Sequence, residues 1–158
     1  MSLDPAAFRS VLGRFASGVT VVTARNASGE DHGITVSAFC SLSLEPPLVL
    51  ICVEHHAEMH AVLGDAAEFA VNVLAEGQES LARRFADRIG NRFDGLGLTR
   101  GITGAALLDN SLAHIECKVT DRRAGGDHTI FLGEVISASA QSERPLLYYR
   151  GGYAQMER

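Results

Sequence analysis

The chain places an imidazole directly after a turn, in Gly126-Asp127-His128. Glycine and aspartate both favour tight turns. The ring of His128 therefore stands at a hairpin tip, where it can project from a sheet rim and orient a partner by hydrogen bonding. The plainer alternative is an aspartate bonded to its own backbone beside a solvent-facing histidine. Three more histidines, His55, His56 and His60, lie close together. His56 and His60 are four apart, a spacing that puts two metal ligands on one face of a helix. Ala57, not Glu, follows His56, so the H-E-x-x-H pattern is missing and no metal site is expected. Cys40 has no histidine clearly paired with it and reads as a packing residue. Asn72 interrupts the apolar run Val71-Asn72-Val73-Leu74, and a buried amide needs partners. A structural bond to a neighbouring loop and a ligand contact are both open to it.

The main chain between Gly33 and Pro47 offers a second kind of chemistry. A strand, Ile34 to Val36, runs into small hydroxyl residues, with Ser37, Ser41 and Ser43 set among Ala38, Phe39, Cys40, Leu42 and Leu44. Pro46-Pro47 closes the run, forces an extended path and removes two donors. Small side chains let a ligand approach the backbone, and N–H groups not committed to a neighbouring strand can meet it. A bulge or strand crossing between two apolar strands is the plainer alternative. No dinucleotide fingerprint is present. Gly95-Leu96-Gly97-Leu98-Thr99-Arg100-Gly101 has three residues before its last glycine where the fingerprint has two, and it follows no strand. A nicotinamide cofactor would have no helix dedicated to its phosphates.

These residues need a frame. Asp4-Pro5 predicts a helix start, and Phe8, Val11, Leu12 and Phe15 recur at helical spacing, giving one apolar stripe before Gly18. Val19 to Ala24 and Gly33 to Ser37 read as a hairpin joined through Asn26-Ala27-Ser28-Gly29. Leu48 to Val53 is an unbroken apolar strand, followed by a brief helical turn ending at Gly64, then by a strand over Glu68 to Leu74. From Gln78, Leu81, Ala82 and Phe85 line one side of a helix that carries Arg83 and Arg84 on the other. Asn91 to Gly104 reads as a long glycine-rich loop. Ala113, Ile115, Cys117 and Val119 alternate with polar residues as a strand, Ala124 to Asp127 turns, and His128 to Ala138 returns with a bend at Gly133. Leu146 to Tyr149 is the last strand expected. Short strands joined mostly by turns predict an antiparallel barrel with helices outside.

Composition narrows the function classes. The 158 residues, 46% hydrophobic and 21% charged, suit a single globular domain over 1–158. A net charge of −5, with scattered Lys and Arg, disfavours a nucleic-acid surface. Three cysteines without C-x-x-C spacing predict reduced thiols and a cytoplasmic location. No signal-peptide core or membrane-length apolar run is found, so no membrane partner is expected.

In chain order, Gly18-Val19-Thr20-Val21-Val22-Thr23, the Gly33–Pro47 stretch, Val71-Asn72-Val73-Leu74, Gly126-Asp127-His128 and Pro145-Leu146-Leu147-Tyr148-Tyr149 resemble the flavin reductase family. The likeness runs from about Phe8 to Tyr153. These are the small reductase components of two-component flavin monooxygenases. The resemblance implies a mainly β fold, an antiparallel six- to seven-stranded FMN-binding split barrel with peripheral helices. It implies hydride transfer from NADH or NADPH to FMN or FAD, with a homodimer that holds flavin near its interface and a separate monooxygenase as recipient. It further implies a nicotinamide-orienting role for His128 and a flavin surface drawn from Thr35, Val36, Ser37, Ala38, Ser41, Cys52, Asn72, Leu74, Phe85 and Tyr153. The family's phosphate loop usually carries Ser or Thr near Ala57. Its absence leaves His55, His56, His60 and Arg84 as substitutes, and a role for His55 or His56 predicts weaker flavin affinity above about pH 7. Two alternatives stand beside this reading: a flavin carrier or sensor without turnover, and a split-barrel oxidoreductase with bound flavin acting on another substrate.

Overall fold

The computed structural model describes residues 2–87 and 90–157. Asp4 caps the first helix, α1 (Pro5–Leu12), by accepting the Ala7 N–H at 3.1 Å, with Pro5 in the first turn. The predicted apolar stripe is present but faces outward: Phe8, Val11, Leu12 and Phe15 are 47%, 68%, 56% and 84% exposed. The chain continues through β1 (Ser17–Gly18), β2 (Thr20–Arg25), β3 (Asp31–Val36), β4 (Phe39–Leu44) and β5 (Pro47–Glu54). Then follow α2 (Glu58–Asp65), β6 (Glu68–Val73), a short 3-10 turn (Glu76–Gln78) and α3 (Glu79–Ala86). β7 (Leu98–Arg100), β8 (Ala106–Leu108), β9 (Ala113–Gly125), β10 (His128–Ala140), β11 (Leu146–Tyr149) and β12 (Gly152–Gln155) complete it.

Seven strands form one antiparallel sheet in the order β3-β2-β6-β9-β10-β5-β4. Its two edge strands, β3 and β4, are consecutive in sequence and joined only by Ser37 and Ala38. A two-residue link cannot span a flat seven-stranded sheet whose strands stand about 4.8 Å apart. The sheet must curl until its edges meet, which makes a barrel split along the β3–β4 seam. Val22, Ile51, Leu63, Phe69 and Phe131 fill the interior, and a second cluster of Val19, Val21, Leu74, Phe85 and Leu146 packs beneath α3. Burying each of the larger side chains contributes roughly 2–3 kcal/mol. The bend expected at Gly133 is a register shift between Leu132 and Gly133, and a Cβ there would stand 2.7 Å from Phe69 Cζ. Burial pushes the Cys117 thiol up to about 12.

Three expectations need correction. The hydroxyl-rich run is not an open segment from end to end. Phe39–Leu44 is strand β4, antiparallel to β5 with an irregularity between Ser41 and Ser43, so only Ser37 and Ala38 lie between ladders. Its serines masked the alternation because an edge strand has no need of an apolar outer face. The loop over 91–104 contains β7, which pairs with β8; three residues are too few to show a period. It is anchored by the buried Glu116 carboxylate, which accepts the Thr103 N–H at 2.9 Å and its hydroxyl at 2.7 Å. A further strand, β12, follows β11 and joins β1 and β11 in a three-stranded sheet. No helix among the described residues is long and apolar enough to cross a membrane.

Candidate functional site

The β3–β5 side of the barrel carries a cleft of about 400 Å³. Its wall is built from Ile34 and Thr35 of β3, Glu54 at the end of β5, His56 to Met59 entering α2, Phe85 and Ala86 closing α3, and Arg92. Larger clefts exist. One of about 470 Å³ lies between the β2–β3 turn and α2, and one of about 620 Å³ lies around Asp109 to Ser111. Neither gathers the residues singled out from the sequence, whereas the β3–β5 cleft brings together Thr35, His56, Ala57 and Phe85.

Arg92 was missed by the sequence reading, and it supplies the positive charge of the cleft. Its Nη1 donates to the Gly33 carbonyl at 3.1 Å, while its buried Nε has no partner. A buried guanidinium N–H without an acceptor is costly, and it marks a place for an anionic or carbonyl oxygen. Also lining the cleft, α2 begins at Ala57 with no side-chain cap; of its first-turn N–H groups, that of His60 donates to the Ala57 carbonyl at 3.0 Å. Ala57, which looked like a defect in a phosphate loop, thus leaves the helix N-terminus without a side-chain cap, although the first turn also carries Glu58, which lies 3.2 Å from His32.

Other expected residues are occupied elsewhere. The Thr35 hydroxyl donates to the Ala82 carbonyl at 2.6 Å, tying β3 to α3. Phe85 is almost wholly buried, wedged against Gly33 and packed edge-on to Phe93 with ring centroids 5.0 Å apart. Val36 and Leu74 are core residues, and Ser41 pairs with Val49. Asn72 has no exposed surface: it donates to the Val21 carbonyl at 3.0 Å and accepts the Leu108 N–H at 2.8 Å. Of its two readings, the structural one describes what the side chain does. Arg84 donates to the Asn91 and Asp94 carbonyls, so it holds the loop that presents Arg92 and does not enter the cleft itself. His60 bonds the Thr129 hydroxyl at 2.8 Å and meets the rings of His55 and Phe131. His56 precedes α2, so it and His60 share no helix face. Tyr153 packs on Tyr148, with Arg83 over its ring at 4.9 Å, and burial raises its phenol above the ordinary range.

His128 stands one strand from the cleft. It opens β10, opposite Glu54 on β5 and Gly125 on β9. Phe131 points into the core, so the period of two sends His128, Ile130 and Leu132 to the outer face, with Cys52 paired to Ile130. Ring Nδ1 lies 2.6 Å from Asp127 Oδ1. That hydrogen bond holds the Asp127 carboxyl below the usual carboxylate range.

Residues 12–157 match the model of the flavin reductase like domain. The chain belongs to the flavin reductase family. It is 43% identical over 157 residues to the reductase subunit HsaB of a flavin-dependent monooxygenase from Rhodococcus jostii, covering 99% of this chain and 80% of that one. It is 45% identical over 154 residues to the NADH-dependent FAD reductase of Streptomyces globisporus, covering 94% and 84% of the two chains. A solved structure of the Streptomyces globisporus NADH:FAD oxidoreductase with NAD and FAD fragments superposes with a TM-score of 0.93. It is 42% identical to this chain, and the match covers 99% of this chain and 97% of that one. Membership of the family agrees with the mainly β split barrel described above. A flavin reductase cleft must receive a phosphate and a flat ring, and the unpartnered Arg92 Nε beside the uncapped α2 N-terminus fits the first of these.

Proposed function

We propose that this protein is an NAD(P)H-dependent flavin reductase that takes FMN or FAD as acceptor and passes reduced flavin to a separate monooxygenase. The observation that carries the reading is the β3–β5 cleft, where Arg92 holds an unpartnered, buried N–H among Thr35, His56, Ala57 and Phe85 in a chain of this family. Flavin supplies the hydride acceptor and NADH or NADPH the donor. Arg92 and the first-turn amides of α2 bind the phosphate by charge-assisted hydrogen bonds. Ser37 and Ala38, at the seam, offer backbone to the ring edge, and Phe85 and Phe93 back the cleft from below. His128 orients the nicotinamide at the rim. Holding the reacting atoms in line is the main contribution of these groups, because hydride transfer depends on close, aligned approach.

The whole chain works as one domain. Two copies associate through the exposed apolar face of α1, Phe8, Val11, Leu12 and Phe15, and through the outer sheet face of Leu50, Cys52, Ile130 and Leu132, which brings the partner near the flavin. Free Cys40, Cys52 and Cys117 suit a reducing cytoplasm.

The test is NADH and NADPH oxidation followed with FMN or FAD added at increasing concentration. Turnover that rises with free flavin supports the reductase. A bound yellow flavin with no nicotinamide oxidation would replace it with a carrier or sensor.

A further inference from the structure

We propose that Asp127 is a positioning residue that fixes the tautomer of His128, so that the neutral ring presents an unprotonated Nε2 to the carboxamide N–H of nicotinamide. The inference deepens the reductase reading and rests on it. Asp127 Oδ1 lies 2.6 Å from His128 Nδ1. An ionised carboxylate only accepts, so the proton between them belongs to Nδ1. A neutral imidazole has one N–H, and the other nitrogen then carries the lone pair. Nε2 lies across the ring from the aspartate and so points away from the turn.

The turn that carries the pair is held by its backbone, while the Asp127 side chain itself is 86% exposed. β9 runs to Gly125 and β10 begins at His128, leaving a two-residue turn in which Gly126 takes φ +68°. The Asp127 carbonyl accepts the His55 N–H at 2.9 Å, which ties the turn to the end of β5. The charged and titratable groups around the ring are Asp127 itself, Glu54 across the ladder, His55 behind the turn and Arg123 two residues along β9, which is paired with Asp121 at 2.8 Å. Asp127 is in hydrogen-bond contact with the imidazole.

A lone pair at Nε2 selects among hydride donors. The carboxamide of nicotinamide has N–H groups to give, whereas a methyl ketone or a carboxylate in its place has none. His128 therefore favours the primary amide, and Asp127 sets that preference without touching the substrate.

Two measurements test this. The first is the proton–nitrogen correlation spectrum of the His128 ring, recorded where the ring is neutral. The expected pattern is Nδ1–H in the wild type, retained in Asp127→Glu, which keeps an acceptor-only carboxylate, and lost in Asp127→Ala and in Asp127→Asn, whose amide can donate to Nδ1. The second is the ratio of kcat/KM for NADH to that for its acetylpyridine analogue, a methyl ketone. Losing one oriented hydrogen bond should lower this ratio about tenfold in Asp127→Ala, through KM for NADH, with Asp127→Glu close to wild type and FAD affinity unchanged. An Nε2–H ring in the wild type, or a ratio that Asp127→Ala does not move, overturns the proposal while leaving the reductase intact. A wild-type protein that oxidises no NADH overturns the reductase reading, and this proposal with it.

Discussion

The guanidinium of Arg92 is tied to the backbone of Gly33 by an Nη1 hydrogen bond of 3.1 Å, and its buried Nε is left without an acceptor. The side chain is therefore held in place before any ligand arrives, and it lines the cleft with one donor still unpaired. Arg92→Ala should raise the flavin dissociation constant about tenfold to a hundredfold, the range for a charge-assisted hydrogen bond to an anion. Arg92→Lys should recover only part of that affinity, because an ammonium cannot keep the Gly33 bond and present a second fixed donor together. Fluorescence titration of FMN and FAD measures both. An Arg92→Ala protein that binds flavin as the wild type does would remove Arg92 from the site.

Gly33 is also where the fold sets the width of the cleft. A Cβ there would stand 2.7 Å from Phe85 Cε1 and 3.3 Å from Phe93 Cζ. Phe85, on α3, is buried in the second apolar cluster and lines the cleft, so a shift of its ring changes the cleft wall. Gly33→Ala should cost about 1–3 kcal/mol by overpacking and weaken flavin binding in the same protein. Denaturant unfolding and flavin titration on one preparation check the pair of effects; a destabilised protein with full flavin affinity would separate Phe85 from the site.

Asn72 gives the opposite expectation. Its amide joins β6 to the Val21 carbonyl, the Thr23 hydroxyl and the Leu108 N–H, all within the buried interior. Asn72→Ala leaves these groups unsatisfied and should cost about 2–4 kcal/mol of stability. Flavin affinity, measured well below the lowered melting temperature, should be unchanged. Loss of flavin binding in a protein that remains folded would return Asn72 to the site.

How much of this was legible in the sequence depends on where the signal lay. The long strands were readable because burial on one face enforces alternation, as in Ala113, Ile115, Cys117 and Val119, and the Gly133 bulge announced itself by an absent side chain. The α1 stripe was readable too, but its destination was not: helical spacing reports that a face will be covered and says nothing about whether the same chain covers it. β4 escaped because its partner, β5, supplies the burial that its own serines do not signal. Arg92 escaped for a different reason. It sits in a stretch without period, and its meaning comes from Gly33, fifty-nine residues away, and from Arg84, whose bonds to the Asn91 and Asp94 carbonyls place that loop. Gly126-Asp127-His128 was found because its turn and its imidazole are neighbours in sequence.

Asp31 and Arg100 join the β3 hairpin to β7 by two parallel hydrogen bonds of 2.8 and 2.7 Å, and Arg100 also reaches the Gly104 carbonyl at 2.8 Å. The Arg100 hydrogen bond holds the Asp31 carboxyl below the ordinary range, against the opposing effect of burial. A carboxyl lowered in the folded state contributes stability that is present above its unfolded pKa of about 3.9 and is lost as pH falls through the folded value. Asp31→Asn should therefore destabilise the protein by about 1–2 kcal/mol at pH 7, with the gap closing as the pH falls below about 4. Urea unfolding of both proteins along a pH series measures the gap. A gap that persists unchanged in acid would mean that the two residues hold the loop by packing and not by charge.

The exposed side of α1 makes the sharpest distinction between a monomer and a pair. Val11 is 68% exposed and contacts no buried cluster, so in a monomer Val11→Glu should change stability by no more than about 0.5 kcal/mol. In the proposed homodimer the same carboxylate would be buried against the second copy without a counter-charge, which an interface does not tolerate. Sedimentation of the wild type should then give a dimer and that of Val11→Glu a monomer or a dimer weakened by tenfold or more. Flavin affinity should fall alongside the dimer, because the reading places flavin beside the partner copy. A wild-type chain that sediments as a monomer, with flavin bound, would leave the α1 face without a role in the site and would put the whole of the flavin surface on the β3–β5 cleft of one chain.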